Sequence, residues 1–195
     1  MPASRTKSRA AQIPGYVAGT WAIDPVHSEV SFTVRHLMVA KVRGVFSDVS
    51  GTLELAEDPS DSAVTATIAA ASIDSRNENR DEDLRSERFL DVEKYPTIEY
   101  RSTGLRAHRD GTFTIDGELL LHGVARPVAL DAELNGFVAD PYGGTRVGFS
   151  ATARVNRRDF GITIDMPLDG GGVVVSDWAE IGLEIEAVLT EPASA

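Results

Sequence analysis

Strict alternation of apolar and polar residues over positions 29–36 constrains the fold of this chain more than any other feature. Because successive side chains of a β-strand point to opposite faces, the alternation predicts a strand with one apolar face. That face carries Val30, Phe32, Val34 and His36. An apolar run, Leu37 to Val39, follows it, and Lys41 and Arg43 then bring in positive charge. This combination is typical of the wall and mouth of an apolar pocket, and equally of an ordinary sandwich core followed by a loop.

The second half of the chain repeats the alternation in four further segments, which are residues 113–121, 128–134, 147–155 and 179–189. Turn-forming residues precede the first segment at positions 109–111 and separate the first three at 122–123 and 140–144; an irregular loop over residues 159–175 precedes the last. About eight or nine antiparallel strands joined by tight turns predict an all-β fold, either a closed barrel or a two-sheet sandwich. Long strands without a blunted edge favour the barrel, and the many alanines at inward positions favour a cavity inside it.

The segment 74–94 is the one part of the chain that we predict to be helical. It is dense in charges of both signs, and Asp81 and Arg85 stand four residues apart, as in an attractive helical pair. We expect the helix to end near residues 89 and 90 and to cover one end of the β-structure. In the first half, we predict long strands over residues 45–57, with a bulge or bend at Ser50 and Gly51, and over residues 63–73.

Composition excludes several classes of function. The 195 residues include no cysteine, which removes thiol catalysis, disulfides and thiolate metal sites. The net charge of −11 argues against a general nucleic-acid binder, which needs a basic face. No apolar run reaches the roughly 18 residues of a membrane span. Residues 1–17 are basic but lack the apolar core of a signal peptide, so they predict a disordered tail before a domain over residues 18–190, and a cytoplasmic protein.

No motif in the chain predicts catalysis, a metal site or a cofactor. The four histidines lie on separate predicted elements without metal-binding spacing; they are His27, His36, His108 and His122. No serine stands in a nucleophile-elbow motif. What remains is an apolar interior with polar groups expected near its ends, namely His36, Lys41, Arg43 and Arg157. Such an interior suits a long apolar molecule with one polar head.

Motifs spread over most of the chain carry a resemblance to a known family. In chain order they are WAIDPVHSEVSFTVRHLM (21–38), VRGVF (42–46), IDS (73–75), LRS (84–86), FLD (89–91), YPTI (95–98), GELLLHGVARPV (117–128) and NRRDFG (156–161). In this order they resemble the YceI-like family of polyisoprenoid- and lipid-binding proteins. Many members of that family are exported through a signal peptide, whereas this chain begins with the short basic segment described above.

The resemblance implies a lipocalin-like, eight-stranded antiparallel β-barrel with a short helical lid. It implies a homodimer without catalytic activity that binds a polyisoprenoid or another long-chain amphiphilic lipid in its lumen, as a carrier, storage or sequestering protein with roles in transport or stress response. We expect ligand contacts from wall residues Phe32, Val34, Phe46, Phe149 and Ile181, from lid residues Met38 and Phe89, and from head-group residues His36, Arg43 and Arg157. His27 is expected to hold a corner of the barrel.

Two alternatives stay open at this point. The first is an enzyme acting on a small hydrophobic substrate in the same cavity, for which His36 is the only inward titratable candidate. The second is a barrel filled by its own side chains that serves as an interaction module.

Overall fold

A computed structural model describes residues 13–165 and 174–193 of the chain. This part contains one α-helix, α1, over Glu78–Arg85, and eleven β-strands. The strands are β1 Gly19–Ile23, β2 Glu29–His36, β3 Ala40–Phe46, β4 Val49–Leu55, β5 Ala63–Ala69, β6 Ile73–Asp74, β7 Thr97–Ala107, β8 Phe113–Leu121, β9 Val124–Ala139, β10 Thr145–Asn156 and β11 Val175–Pro192.

The sheet closes on itself as an eight-stranded antiparallel barrel, which confirms the predicted fold. Its hydrogen-bonded order is β1, β4, β5, β7, β8, β9, β10 and β11, and β11 pairs back to β1. β1 and β2 both pair with β11, β1 with its last residues and β2 with the residues before them. β3 pairs with β2 and continues the course of β4. A closed ring leaves no pair of separate sheets, so the sandwich alternative is excluded.

Strand breaks in the first half lie elsewhere than predicted. Residues 47 and 48 separate β3 from β4, where the backbone N–H of Asp48 bonds to the Ser72 hydroxyl oxygen at 3.2 Å. Ser50 and Gly51 pair regularly with β5, so the expected bulge at these residues is wrong. The predicted strand over residues 63–73 is also interrupted, because a 3₁₀ turn at Ala70–Ser72 separates β5 from β6.

The helix is shorter than the predicted segment 74–94. Asn77 caps its start by accepting a hydrogen bond from the backbone of Arg80 at 3.0 Å. It ends at Arg85 because Ser86 takes an extended conformation, and the backbone N–H of residue 92 then bonds to the Arg85 carbonyl at 3.1 Å. The buried Asp81 ties α1 to β6 by accepting from the Ser75 backbone at 2.9 Å. No helix in the described ranges has the length and hydropathy needed to cross a membrane.

The predicted N-terminal tail only partly falls within the structure. Residues 1–12 lie outside the described residues. Residues 13–17 pack against the barrel: the Tyr16 hydroxyl donates to the Ala56 carbonyl at 2.7 Å, and its ring meets Phe137 edge-on with centroids 5.5 Å apart. These five residues therefore belong with the barrel in the structure.

The solid part of the core surrounds Trp21, whose side chain is completely buried. Its ring meets Phe137 edge-on at 5.6 Å between centroids. Val49 and Val147, which belong to the same cluster of buried residues, are also fully buried. The Trp21 indole nitrogen is the one fully buried side-chain polar atom of the described residues that has no hydrogen-bond partner, so this tryptophan stabilises the barrel through packing alone.

A charged corner lies on the outer surface between β1 and β2. Arg146 bridges three carboxylates there, reaching Asp24 at 2.6 Å and both Asp140 and Glu186 at 2.5 Å. His27 Nδ1 lies 2.9 Å from Asp24, which agrees with the expected corner-holding role. Hydrogen bonds from His27 and Arg146 hold the pKa of Asp24 well below its ordinary value.

We predict that Trp21→Ala lowers the free energy of unfolding by about 3–5 kcal/mol, because it removes a large buried ring and leaves a cavity. Urea unfolding followed by circular dichroism measures this. The matched control is Trp178→Ala, since Trp178 is 47% exposed and we expect its loss to cost about 1 kcal/mol or less. Equal losses in the two variants would contradict the packing described here.

The second prediction concerns pH. Because the pKa of Asp24 is lower in the folded than in the unfolded chain, its stabilising effect is complete above the unfolded pKa of about 4 and is lost as pH falls below it. Asp24→Asn should therefore destabilise the protein more at pH 7 than at pH 3, as measured by urea unfolding. Asp116→Asn, which breaks an exposed ion pair with Arg106, should change little at either pH. A constant loss for Asp24→Asn across this range would refute the linkage.

Candidate ligand-binding cavity

A cavity of about 760 Å³ runs through the inside of the barrel. One end of it, which we call the helix end, lies where α1, the β2–β3 turn and the last residues of β10 meet; His36, Phe89 and Arg157 line it there. The other end, which we call the turn end, lies at the β4–β5 and β7–β8 connections and is lined by Tyr16, Ser62 and His108, among others.

The walls follow the alternation predicted from the sequence. Side chains at every second position of β2, β10 and β11 line the cavity; they are Val30, Phe32, Val34, His36, Phe149, Ala151, Ala153, Val155, Ala179, Ile181, Leu183 and Ile185. The strand register sets Phe32 opposite Ile181 and Val34 opposite Ala179. Alanines at three of these positions reach only a short way inward, which leaves the axis of the barrel open.

Two glycines keep aromatic rings close to the wall. The Phe32 ring covers Gly44 on β3, where an added Cβ would lie 2.4 Å from the ring. Tyr100 covers Gly117 in the same way, with 2.3 Å between such a Cβ and the Tyr100 hydroxyl. Any larger residue at these glycines would push the rings away from the strand, so the glycines help to keep the lumen free.

The Tyr100 hydroxyl is a polar group of the cavity wall that the sequence analysis missed. It lies 3.1 Å from the carbonyl oxygens of both Ile115 and Val128, to which it donates. Burial raises the pKa of Tyr100 to about 12, so the hydroxyl is protonated at neutral pH. An inward tyrosine beside a glycine on the neighbouring strand is the sequence pattern that could have indicated this wall position.

Eight of the ten predicted contact residues line the cavity: Phe32, Val34, His36, Phe46, Phe89, Phe149, Arg157 and Ile181. Their contact with a ligand stays a prediction. Met38 and Arg43 do not belong to the lining. Met38 is 51% exposed in the β2–β3 turn, and Arg43 is exposed because Val42 takes the inward position next to it. Lys41 likewise points outward, where it pairs with Glu180 at 3.5 Å.

Arg157 is largely committed to structural bonds. Its guanidinium donates to the carbonyl oxygens of Ile162 at 2.7 Å and Ser176 at 3.3 Å, and it bonds to Asp177 at 2.8 Å. Burial lowers the pKa of Arg157. These bonds hold the 3₁₀ turn Arg157–Phe160 against the start of β11 and leave only the remaining N–H groups for a ligand.

His36 differs from Arg157 because its ring has no hydrogen bond or ion pair with any residue in the described ranges. It is half-buried at the helix end, paired in register with Val175. Arg80 and Asp83 also line this end, but Arg80 bonds to Ser75 and Asp83 to Arg88. As far as the described residues are concerned, the imidazole of His36 is thus available to a polar group that enters the cavity.

The turn end carries a second set of polar groups that the sequence analysis missed. Tyr16 and Ser62 approach to 3.4 Å, and His108 Nε2 lies 2.8 Å from the Thr114 hydroxyl. Tyr16 belonged to the predicted tail, and Ser62 lies between two predicted strands, so neither strand phase nor a motif marked them. Each of them has a partner in the described part of the chain, where His36 has none.

The carboxylates of Asp24 and Glu186, with His27, form the one group of potential metal ligands in the part of the chain that the structure describes. It lies on the outer corner of the barrel and outside the cavity lining. The Arg146 guanidinium already bridges both carboxylates, so a positive charge occupies the place that a cation would take. These residues do not fit a metal ion unless Arg146 is displaced.

Comparison with known proteins places the chain in a family. The profile of the YceI-like domain matches residues 21–187. Protein YceI of Salmonella newport (strain SL254) is 39% identical over 153 residues, which cover 77% of this chain and 80% of that protein.

Solved structures share the fold. The crystal structure of Burkholderia cenocepacia BcnA superposes with a TM-score of 0.73 at 17% identity and covers 84% of this chain and 98% of that one. A polyisoprenoid-binding domain from Saccharophagus degradans, implicated in plant cell wall breakdown, superposes with a TM-score of 0.62 at 12% identity and covers 90% of this chain and all of that one. On its sequence match and its barrel, the chain belongs to the YceI-like family.

Proposed function

We propose that the protein binds a polyisoprenoid or another long-chain amphiphilic lipid in its barrel cavity and acts as a carrier or storage protein rather than as an enzyme. The observation that carries the proposal is the cavity of about 760 Å³ with its apolar walls. Its size falls within the range of roughly 300–1,000 Å³ that is usual for small-molecule sites. The polyisoprenoid-binding neighbour from Saccharophagus degradans shares the barrel, which supports the choice of ligand class.

The chemistry of the walls favours a hydrocarbon chain. Each buried CH₂ group contributes about 0.8 kcal/mol, so a chain of many carbons binds tightly with few polar contacts. The middle of the cavity offers aliphatic and phenyl side chains, while most of its polar groups lie near its two ends. Tyr100 is an exception, but its hydroxyl is already bonded to backbone carbonyls.

The arrangement of titratable groups favours binding over catalysis. A nucleophile or general base needs a partner within hydrogen-bond reach. Of the described histidines, His36 and His108 line the cavity, and they lie at opposite ends of it. Among the described residues His36 has no carboxylate partner, and His108 is bonded to a threonine. A barrel filled by its own side chains is also disfavoured, because the cavity extends from one end to the other.

We propose that the head group of the ligand lies at the helix end beside His36. At this end, no described residue bonds to the imidazole of His36, and Arg157 has N–H groups to spare. At the turn end, Tyr16, Ser62 and His108 bond to other side chains or to the backbone. A phosphate or carboxylate head would accept hydrogen bonds from both His36 and Arg157.

The proposal predicts that Ala151→Trp abolishes lipid uptake while the barrel still folds, because the indole would fill the lumen. Uptake of radiolabelled geranylgeraniol, measured by gel filtration, tests this. Thr152→Trp is the matched control: it is the next residue of β10, it is exposed, and the same side chain would point outward there. Uptake that survives in Ala151→Trp, or is lost equally in both folded variants, would refute binding in the lumen.

The head-group assignment has its own prediction. His36→Leu should weaken the binding of a polyprenyl phosphate by about tenfold, the loss of one hydrogen bond to a charged group, and should leave geranylgeraniol binding nearly unchanged. His108→Leu, at the turn end, is the control and should affect neither ligand. A larger effect of His108→Leu on the phosphate would place the head group at the turn end instead.

A further inference from the structure

The turn between β2 and β3 exposes three consecutive apolar side chains beside the helix end of the cavity. Leu37 is 37% exposed, Met38 51% and Val39 82%. We call residues 37–39 the apolar tip. Single exposed apolar residues are ordinary on protein surfaces, but a contiguous group at the end of a hairpin marks a surface that meets something apolar.

The backbone of the apolar tip is one that these side chains rarely adopt. Leu37 and Met38 have φ angles of 51° and 59°, and the Val39 N–H bonds to the His36 carbonyl at 3.1 Å. Asparagine and glycine are the usual residues of such tight hairpin turns, and bulky side chains in this region are strained. Closing the hairpin does not require Leu37 and Met38, so their apolar character has another use.

Positive charge flanks the apolar tip on the outer face of the same hairpin. Arg35 and Lys41 are cross-strand partners, Arg43 follows, and all three are exposed. No acidic residue occurs between positions 35 and 43, although the chain as a whole carries a net charge of −11. Lys41 pairs with Glu180 at 3.5 Å, while Arg35 and Arg43 have no ion pair with a residue that the structure describes.

The apolar tip continues the wall of the cavity. Val34, His36 and Val42, on the same two strands, line the helix end. The Leu37 N–H bonds to the Val174 carbonyl at 2.8 Å, and Val174 lines the cavity as well. Whatever covers the apolar tip therefore lies next to the end of the lumen that carries His36.

We infer that the apolar tip inserts into the surface of an anionic lipid bilayer, with Arg35, Lys41 and Arg43 against the lipid head groups. Apolar side chains next to basic ones are the pattern that binds such interfaces. A second copy of the chain fits less well, because two tips meeting would bring Arg35 and Arg43 of both copies close together. The inference rests on the proposed lipid binding and adds the place where the protein meets its lipid source.

The experiment is sedimentation of the full chain with vesicles of phosphatidylglycerol and phosphatidylcholine in equal amounts, and with vesicles of phosphatidylcholine alone. We expect binding to the anionic vesicles, and a loss of about tenfold in the partition coefficient for Val39→Asp, since a charge would have to enter the apolar layer. Val26→Asp is the matched control: Val26 is 81% exposed in the β1–β2 corner, away from the hairpin, and the variant carries the same net charge. Arg43→Gln should weaken binding to the anionic vesicles and should not change binding to the vesicles of phosphatidylcholine alone.

Failure of the wild-type chain to bind anionic vesicles, or equal losses for Val39→Asp and Val26→Asp, would overturn the inference. Self-association that Val39→Asp abolishes, seen by analytical ultracentrifugation, would assign the apolar tip to a second copy and overturn it too. A second measurement, the uptake of geranylgeraniol delivered from ethanol, tests the proposed function independently of vesicle binding. Intact uptake without vesicle binding refutes the docking surface alone, whereas absent uptake refutes the lumenal site.

Discussion

The hydrogen bonds between β11 and β1 close the sheet into a ring, and the remaining structure depends on that closure. A closed ring has no edge strand, and the inner faces of all its strands meet in one space. Once the register is set, every second side chain faces this space. Whether it becomes a core or a lumen then depends only on how far those side chains reach.

In this chain they do not reach the axis. The alanines of β5, β10 and β11, and the rings held against Gly44 and Gly117, leave the middle of the barrel open. An open lumen gives up packing contacts that a filled core would make. The buried cluster that contains Trp21, Val49 and Val147 supplies packing, and other members of it, such as Phe32 and Phe46, line the cavity as well. The walls of the lumen are therefore part of the core that stabilises the fold.

The faces of the long strands were predictable because a period of two depends only on local sequence. The ends of the strands and of the helix were not predictable, because they depend on distant partners. Asp48 is held by Ser72, and α1 ends where the chain turns back onto the Arg85 carbonyl. Arg43 was expected at the cavity because of its charge, but strand phase places it outside the lining, since Val42 and Gly44 mark the inward positions. Tyr16 and Ser62 were not predicted because one stood in the predicted tail and the other between two predicted strands, where the sequence carries no periodic signal.

The central claim is that the lumen is a binding site for one long-chain lipid. Native mass spectrometry tests it most directly, using protein stripped by organic extraction, refolded and incubated with geranylgeraniol. The account predicts a species heavier than the polypeptide by one ligand mass, which Ala151→Trp does not form. A spectrum that shows only the bare polypeptide for the wild-type chain at every ligand concentration would contradict it.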